Sequence, residues 1–111
     1  ADALVDQAGQ SHTLLGILSG TGAMQSRLTA IGSQEFELFS AGMRGHTFHY
    51  SSLQTALKPI SRAKTPDGLD GEAIYQVGSV IASYCHAYFP SNPELTARLF
   101  LAHENPVYWR C

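Results

Sequence analysis

Residues 72–103 read EAIYQVGSVIASYCHAYFPSNPELTARLFLAH and contain the clearest structural signals in the chain. Apolar and aromatic residues dominate Glu72–Gln76 and Val80–Phe89, a composition typical of β-strands. Gly78-Ser79 lies between these two segments and predicts a tight hairpin turn. The stretch therefore predicts two antiparallel strands, followed by a sharp change of structure.

A helix is predicted directly after the second of these strands, where the chain reads PSNP. Asn92 is a favoured N-cap residue, and Pro93 suits the first position of a helix. Leu95 and Leu99 are four residues apart and lie on one helical face. The pattern predicts an amphipathic helix over residues 93–103.

Outside this stretch the chain reads mainly as short strands joined by turns. In chain order, we predict a polar segment over 1–10 that is helical at its start, a buried strand over His12–Leu18, a break at Gly20-Thr-Gly22, a half-buried strand over Leu28–Phe39, a break at Ala41-Gly42, a strand over Arg44–Ser52, a short strand over Pro59–Lys64 and a loop over Thr65–Gly71. A complete doubly wound α/β domain alternates helices and strands throughout. The pattern therefore indicates an incomplete α/β fold.

Composition limits the classes of protein to consider. The 111 residues, 44% of them hydrophobic, correspond to one domain with a modest core. The net charge of −2 argues against nucleic-acid or anionic-membrane partners, because phosphate binding needs a basic surface. No apolar run approaches the roughly 18 residues of a membrane span, and Asp2 and Asp6 are unlike a signal peptide. Two cysteines are too few for a disulfide scaffold, so we expect a cytoplasmic protein.

Histidines are the strongest candidates in this chain for metal binding or catalysis. His46 and His49 have a spacing found in some metal sites, but residues three apart in a strand point to opposite faces. We therefore expect no metal site, with one of the two histidines on the core side and the other facing solvent.

Cys85 and His86 are adjacent and invite comparison with a thiol–imidazole pair. Neighbouring strand residues face opposite ways, so the Cys85 thiol is not expected to reach the ring beside it. Cys85 is in phase with apolar Ile81, Ala87 and Phe89, which predicts a buried, inert thiol. His86 lies near the end of its strand, where ligands gather in open α/β sheets.

Two segments carry a resemblance to a known family. Residues 44–51 (RGHTFHYS) and 82–93 (ASYCHAYFPSNP), with Met24, Arg27 and Gly32 upstream, are similar to the cobyrinic and hydrogenobyrinic acid a,c-diamide synthases. The likeness covers about residues 4–103 and resembles the C-terminal part of the glutamine amidotransferase domain. The chain is thus expected to be a single partial domain over 1–111, the strand-rich C-terminal portion of a class I, flavodoxin-like α/β glutaminase, ending in a helix.

The resemblance implies a glutamine-dependent, ATP-driven amide ligase of cobalamin biosynthesis. In such a protein, ammonia from glutamine hydrolysis passes to an N-terminal synthetase domain that uses ATP and Mg²⁺ to amidate a corrinoid acid. The family's catalytic histidine maps onto His86. Arg44, His46, His49 and Tyr50 are candidates for substrate binding with no role derived from the sequence. No cofactor is expected in this chain itself.

The chain departs from the family pattern in ways that affect activity. The family's nucleophilic cysteine lies upstream in a glycine-rich elbow, and neither Cys85 nor Cys111 matches it. The chain begins with Ala1, which is compatible with a piece of a longer polypeptide. We therefore expect the isolated chain to be inactive, and to dimerise or expose an apolar patch. The alternatives are a non-catalytic fragment or interaction module with structural histidines, and a small metal or ligand binder.

Overall fold

The computed structural model describes residues 1–101. These residues form ten strands and two short helices, in the order β1 Ala3–Val5, β2 Ser11–Thr13, β3 Thr21–Met24, β4 Ala30–Leu38, β5 Ala41–His49, β6 Ser51–Gln54, β7 Ser61–Lys64, β8 Asp70–Val77, β9 Val80–Ser83, β10 His86–Ala87, a 3₁₀ helix Phe89–Ser91 and α1 Pro93–Phe100. This order confirms a mixed α/β, strand-rich chain with a helix towards its end. None of the helices in this part of the chain is long and apolar enough to cross a membrane.

The chain divides into two units, of which the first comprises Ala1–Ile31 and Phe48–Lys58. It contains a four-stranded sheet in the order β2-β1-β3-β6. β1 and β3 are parallel, and the other two pairings are antiparallel. Gly20, with a φ of 140°, makes the break before β3, whereas Thr21 and Gly22 of the predicted break already belong to that strand. A Cβ at Gly20 would lie 2.6 Å from the carbonyl oxygen of Gln54, so only glycine fits this approach.

Two predictions for the first unit are wrong. The start of segment 1–10 is not helical, because Ala3–Val5 forms a strand that pairs with β2 and β3. The predicted buried strand over His12–Leu18 is replaced by the shorter, exposed strand Ser11–Thr13. Gly16 has a φ of 78° and interrupts the extended backbone within the apolar run.

The second unit comprises Gly32–Thr47 and the chain from Pro59 onwards. Most of β4 and β5 lies in it, and its six-stranded sheet has the order β10-β5-β4-β7-β8-β9. Leu95 of α1 is fully buried in the core. The buried members of this core are Phe36, Leu38, Met43, Ala63, Ile74, Cys85 and Leu95. Side chains along β4 and β5 alternate between the core and the opposite face of the sheet, and those on the opposite face are exposed.

The turn between β4 and β5 falls two residues before its predicted position. The predicted strand over Leu28–Phe39 is confirmed as β4, but the break lies at Phe39-Ser40, whereas Ala41-Gly42 is already part of β5. Phe39 and Ser40 have φ values of 53° and 66°. A two-residue hairpin loop requires these left-handed conformations, and here residues other than glycine adopt them.

The predicted strand over Val80–Phe89 is divided in two. β9 pairs with β8 through the predicted Gly78-Ser79 turn, whereas β10 leaves that ladder and pairs with β5. The Ser83 hydroxyl donates to the Ala73 carbonyl at 2.7 Å and accepts from the Cys85 amide at 3.0 Å. These side-chain bonds satisfy the backbone where the ladder ends, so the chain crosses to another strand.

The start of α1 is confirmed. The Asn92 side-chain oxygen accepts from the Leu95 amide at 3.0 Å, and Pro93 is the first helical residue. The helix ends at Phe100, and residues 102–103 of the predicted helix lie outside the described residues. The flavodoxin-like class and the single partial domain over 1–111 stay predictions.

Candidate functional site

His86 lies on β10 directly opposite His46 on β5, and both side chains are exposed. Opposed residues on neighbouring strands share a face of the sheet and approach closely. Within residues 1–101, neither ring has a hydrogen-bond partner of the kind that fixes His12 or His49. The two imidazoles are therefore available to a ligand on the outer face of the second unit.

The histidine pair lines an open cleft of about 700 Å³. Its walls come from β4, β5, β10, the end of β7 with the loop that follows it, and the start of the segment after β10. The lining residues are Ser33, Gln34, Glu35, Arg44, Gly45, His46, Lys64, Thr65, Pro66, His86, Ala87 and Tyr88. Three of these twelve, Arg44, His46 and His86, are candidate site residues predicted from the sequence.

Some charged side chains in the cleft have an ion-pair partner and others have none among the described residues. The Lys64 ammonium binds the Asp70 carboxylate, and this hydrogen bond lowers the pKa of Asp70. In contrast, no side-chain ion pair or hydrogen bond in the described part of the chain occupies Arg44 or Glu35. As far as residues 1–101 are concerned, the cleft thus presents the Arg44 cation and the Glu35 anion without an ion-pair partner.

Two hydrogen bonds through Arg44 fasten the segment after β10 to β5, and a third joins two residues within that segment. The Tyr88 amide donates to the Arg44 carbonyl at 2.8 Å, and the Arg44 amide donates to the Ser91 hydroxyl oxygen at 3.0 Å. The Ser91 hydroxyl in turn donates to the Tyr88 carbonyl at 2.7 Å. These bonds fix the backbone on the C-terminal side of His86, so its position relative to Arg44 is defined.

Gly45 allows β10 to lie this close to β5. A Cβ at this position would be 2.6 Å from the His86 carbonyl oxygen and 2.7 Å from the Cys85 Sγ. The role of Gly45 is not among the predictions from the sequence, although a glycine inside a strand, here between Arg44 and His46, is a signal for close backbone approach. Any larger residue at 45 would displace the strand that carries His86.

The Cys85 side chain is buried, as predicted. Cys85 is 8% exposed, carries a free thiol and belongs to the core, whereas His86 is exposed on the other side of the strand. Burial raises the pKa of Cys85, and the negative charge of Glu72 raises it further. The two adjacent residues therefore do not form a thiol–imidazole pair.

His49 and Tyr50, the other two substrate-binding candidates, belong to the first unit. The His49 ring is half-buried, with Nδ1 2.7 Å from the Ser51 carbonyl oxygen, which is a structural contact. The Tyr50 ring makes an edge contact with Phe48 at 5.8 Å. Across residues 1–101, no group of three or more histidine, cysteine or acidic side chains is arranged to hold a metal ion.

Comparison with known proteins identifies relatives of this chain. It is 46% identical over 99 residues to the hydrogenobyrinate a,c-diamide synthase of Pseudomonas aeruginosa, a match that covers 88% of this chain and 23% of the relative. It is 42% identical over 101 residues to the cobyrinate a,c-diamide synthase of Herminiimonas arsenicoxydans, covering 90% of this chain and 23% of that protein. No family model and no solved structure matches the chain.

The hydrogenobyrinate a,c-diamide synthase of Stutzerimonas stutzeri is similar at 42% identity over 99 residues, and the chain again spans 23% of its length. The resemblance found in the RGHTFHYS and ASYCHAYFPSNP segments is thereby confirmed, since the matches extend over about nine-tenths of the chain. Over about nine-tenths of its length the chain is therefore similar to the hydrogenobyrinate and cobyrinate a,c-diamide synthases, and it spans 23% of the length of these relatives.

Proposed function

We propose that this chain is the C-terminal part of the glutaminase domain of an a,c-diamide synthase, in which His86 is the catalytic base. The relatives' names support amidation of a corrinoid acid in cobalamin biosynthesis as the overall reaction. The dependence on glutamine and the role of His86 rest on the family resemblance and on the geometry of the cleft.

The observation that carries the proposal is the exposed His86 ring, which lies at a strand end within an open cleft and has no hydrogen-bond partner among residues 1–101. A base that serves a thiol from another part of the protein must be accessible, and its ring must be free to accept a proton. The thiol of Cys85 faces the core on the other side of the strand. In the family that the chain resembles, the nucleophilic cysteine lies upstream and matches neither Cys85 nor Cys111, so we assign this role to a cysteine in another part of the full-length protein.

Glutamine hydrolysis at this site proceeds in two stages. The external thiol attacks the side-chain amide carbon while His86 accepts the thiol proton, and the same proton is transferred to the departing ammonia. This leaves a γ-glutamyl thioester on the cysteine. Water then attacks the thioester with His86 again accepting a proton, which releases glutamate and restores the thiol.

Ammonia passes from this site to a synthetase domain, the part of the full-length protein that uses ATP and Mg²⁺. There the a- and c-carboxylates of the corrinoid acid become amides. The partners of this chain are thus glutamine, that domain and, through it, the corrinoid acid, in a cytoplasmic protein. ATP and Mg²⁺ are assigned to the synthetase domain, so the cleft residues need only bind glutamine and transfer protons.

Replacing His86 with alanine in the full-length synthase tests the proposal. We expect glutamine-dependent amidation to fall by about 10²- to 10⁴-fold, the usual contribution of a general base. Amidation from added ammonium salts should persist, because it bypasses glutamine hydrolysis. Both activities are measured as corrinoid diamide formation by chromatography.

His12→Ala is the matched control, because it removes an imidazole that pairs with Asp6 on the surface of the first unit. It should leave both activities unchanged. Loss of ammonia-dependent amidation in His86→Ala would show a general structural role for the ring. Retained glutamine-dependent activity would instead favour a non-catalytic segment with structural histidines.

A further inference from the structure

We propose that Arg44 and Glu35 form a binding site for the α-amino acid headgroup of glutamine, in which Arg44 binds the α-carboxylate and Glu35 the α-ammonium. The inference rests on the function proposed above and extends it from the base to the residues that orient the substrate. The cleft beside His86 contains both charges that a zwitterionic amino acid requires.

Among the described residues that line this cleft, Arg44 is the basic group whose side chain has no ion-pair partner. Lys64 is neutralised by Asp70, and the nearby Arg62 donates from Nη1 to the Gly71 carbonyl at 3.1 Å. Within residues 1–101 the guanidinium of Arg44 has no such partner. A planar guanidinium can bind a carboxylate through two parallel hydrogen bonds, which an ammonium group cannot do.

Glu35 is the complementary anion. It lies on β4, the neighbour of β5 in the sheet, and its Cα partner on β7 is Lys64. Lys64 pairs with Asp70, and within residues 1–101 no ion pair joins the Glu35 carboxylate to Lys64 or to Arg44. This carboxylate therefore remains free to bind an α-ammonium group.

The strand geometry separates the headgroup site from the histidines by about the length of a glutamine molecule. Arg44 and His46 are two residues apart in β5, which puts their Cα atoms about 6.6 Å apart on the same face. His86 lies directly opposite His46. A glutamine whose carboxylate binds Arg44 and whose side chain extends along β5 brings its amide to the His86 side of the cleft.

The hydrogen bonds between β5 and the segment after β10 support this arrangement. Arg44 is joined through its own backbone amide and carbonyl to Ser91 and Tyr88, and Tyr88 is two residues after His86. One short network of hydrogen bonds thus fixes the backbone of Arg44, which binds the headgroup, relative to the segment that follows His86, the base. Preorganisation of this kind reduces the entropy cost of orienting the substrate amide.

The test compares three amide substrates in the full-length synthase: L-glutamine, L-glutaminamide, in which the α-carboxylate is an amide, and glutaramate, which lacks the α-amino group. Arg44→Ala should lower kcat/KM for L-glutamine by about 10- to 100-fold, the usual effect of losing a charged hydrogen bond, and leave L-glutaminamide hydrolysis unchanged. Glu35→Gln should lower kcat/KM for L-glutamine similarly and leave glutaramate unchanged.

Arg62→Ala and Glu37→Gln are the matched controls, because each removes a like charge from the exposed face of the same sheet. Neither should alter the preference for L-glutamine over its analogues. Ammonia-dependent amidation reports on folding and should be unchanged in all four variants.

The inference is overturned if Arg44→Ala and Glu35→Gln retain the preference of the unmodified enzyme among the three substrates. Its failure is distinguishable from failure of the proposed function. If His86→Ala abolishes glutaminase activity while the headgroup variants behave normally, only the headgroup assignment is wrong. If His86→Ala is fully active, the proposed function itself is wrong.

Discussion

Thr47 illustrates how buried and exposed residues alternate along β5. Its side chain is 0% exposed and its hydroxyl donates to a Glu72 carboxylate oxygen at 3.2 Å, while His46 on one side and Phe48 on the other are exposed. The alternation of a strand therefore puts His46 in the cleft and turns its neighbour into the core. The predicted separation of His46 from the half-buried His49 is confirmed.

Cys85 provides a prediction at the scale of one residue. Burial, and secondarily Glu72, raises the pKa of its thiol, so the reactive thiolate is scarce at pH 8. In a Cys111→Ser variant, which has a single thiol, we expect slow reaction with Ellman's reagent in the native state and rapid reaction in urea. Absorbance at 412 nm follows both. Equally fast reaction in the two states would show that the thiol is not buried.

The β4–β5 hairpin provides a prediction at the scale of an element. Ser40 has a φ of 66°, in the left-handed region that costs a non-glycine residue about 1–2 kcal/mol. Glycine removes that cost but loses about 0.5–1 kcal/mol through the entropy of the unfolded chain. We therefore expect Ser40→Gly to raise the free energy of unfolding by about 0.5–1 kcal/mol, measured by urea denaturation.

Ser40→Ala is the control for this change, since alanine retains the Cβ that causes the strain. It should not stabilise the protein. A Ser40→Gly variant no more stable than Ser40→Ala would mean that the strain is relieved in another way. The residue's side chain is exposed, so loss of packing does not complicate the comparison.

Elements defined by neighbouring residues were predictable from the sequence. The β8–β9 hairpin follows from Gly78-Ser79, and the start of α1 follows from Asn92 and Pro93, because turn and cap preferences act over a few residues. The parallel pairing of β1 with β3 and the transfer of β10 to β5 depend on contacts between distant segments. No local pattern contains that information.

The candidate site was predicted in part for the same reason. His86 was identified at a strand end, and Arg44 and His46 were identified through the motif that contains them. Glu35 and Tyr88 were missed because they reach the cleft from β4 and from the segment after β10, which only the sheet order brings together. Spacing along the chain does not reveal neighbours across strands.

At the scale of the whole molecule, several large apolar side chains are exposed, and most of the buried ones lie in the second unit. Large hydrophobic side chains such as Leu15, 86% exposed, and Phe100, 69% exposed, face outward. This exposure supports the expectation that the isolated chain associates or presents an apolar patch, which remains a prediction. Of the buried hydrophobic residues in the described part of the chain, Leu18 alone belongs to the first unit, and the other seven form the core of the second.

This difference in core size predicts unequal stability of the two units. Local opening is easiest where few apolar contacts are lost, so backbone amides of Ala1–Ile31 should exchange with deuterium faster than those of β7–β9. Mass spectrometry of peptic fragments measures both rates. Ile74→Ala, which removes a core side chain at a cost of about 2–5 kcal/mol, should accelerate exchange mainly in the second unit. Two results would contradict this prediction: equal protection from exchange in both units, and an equal loss of protection in both units of the Ile74→Ala variant. Together they would show that the units unfold as one cooperative structure.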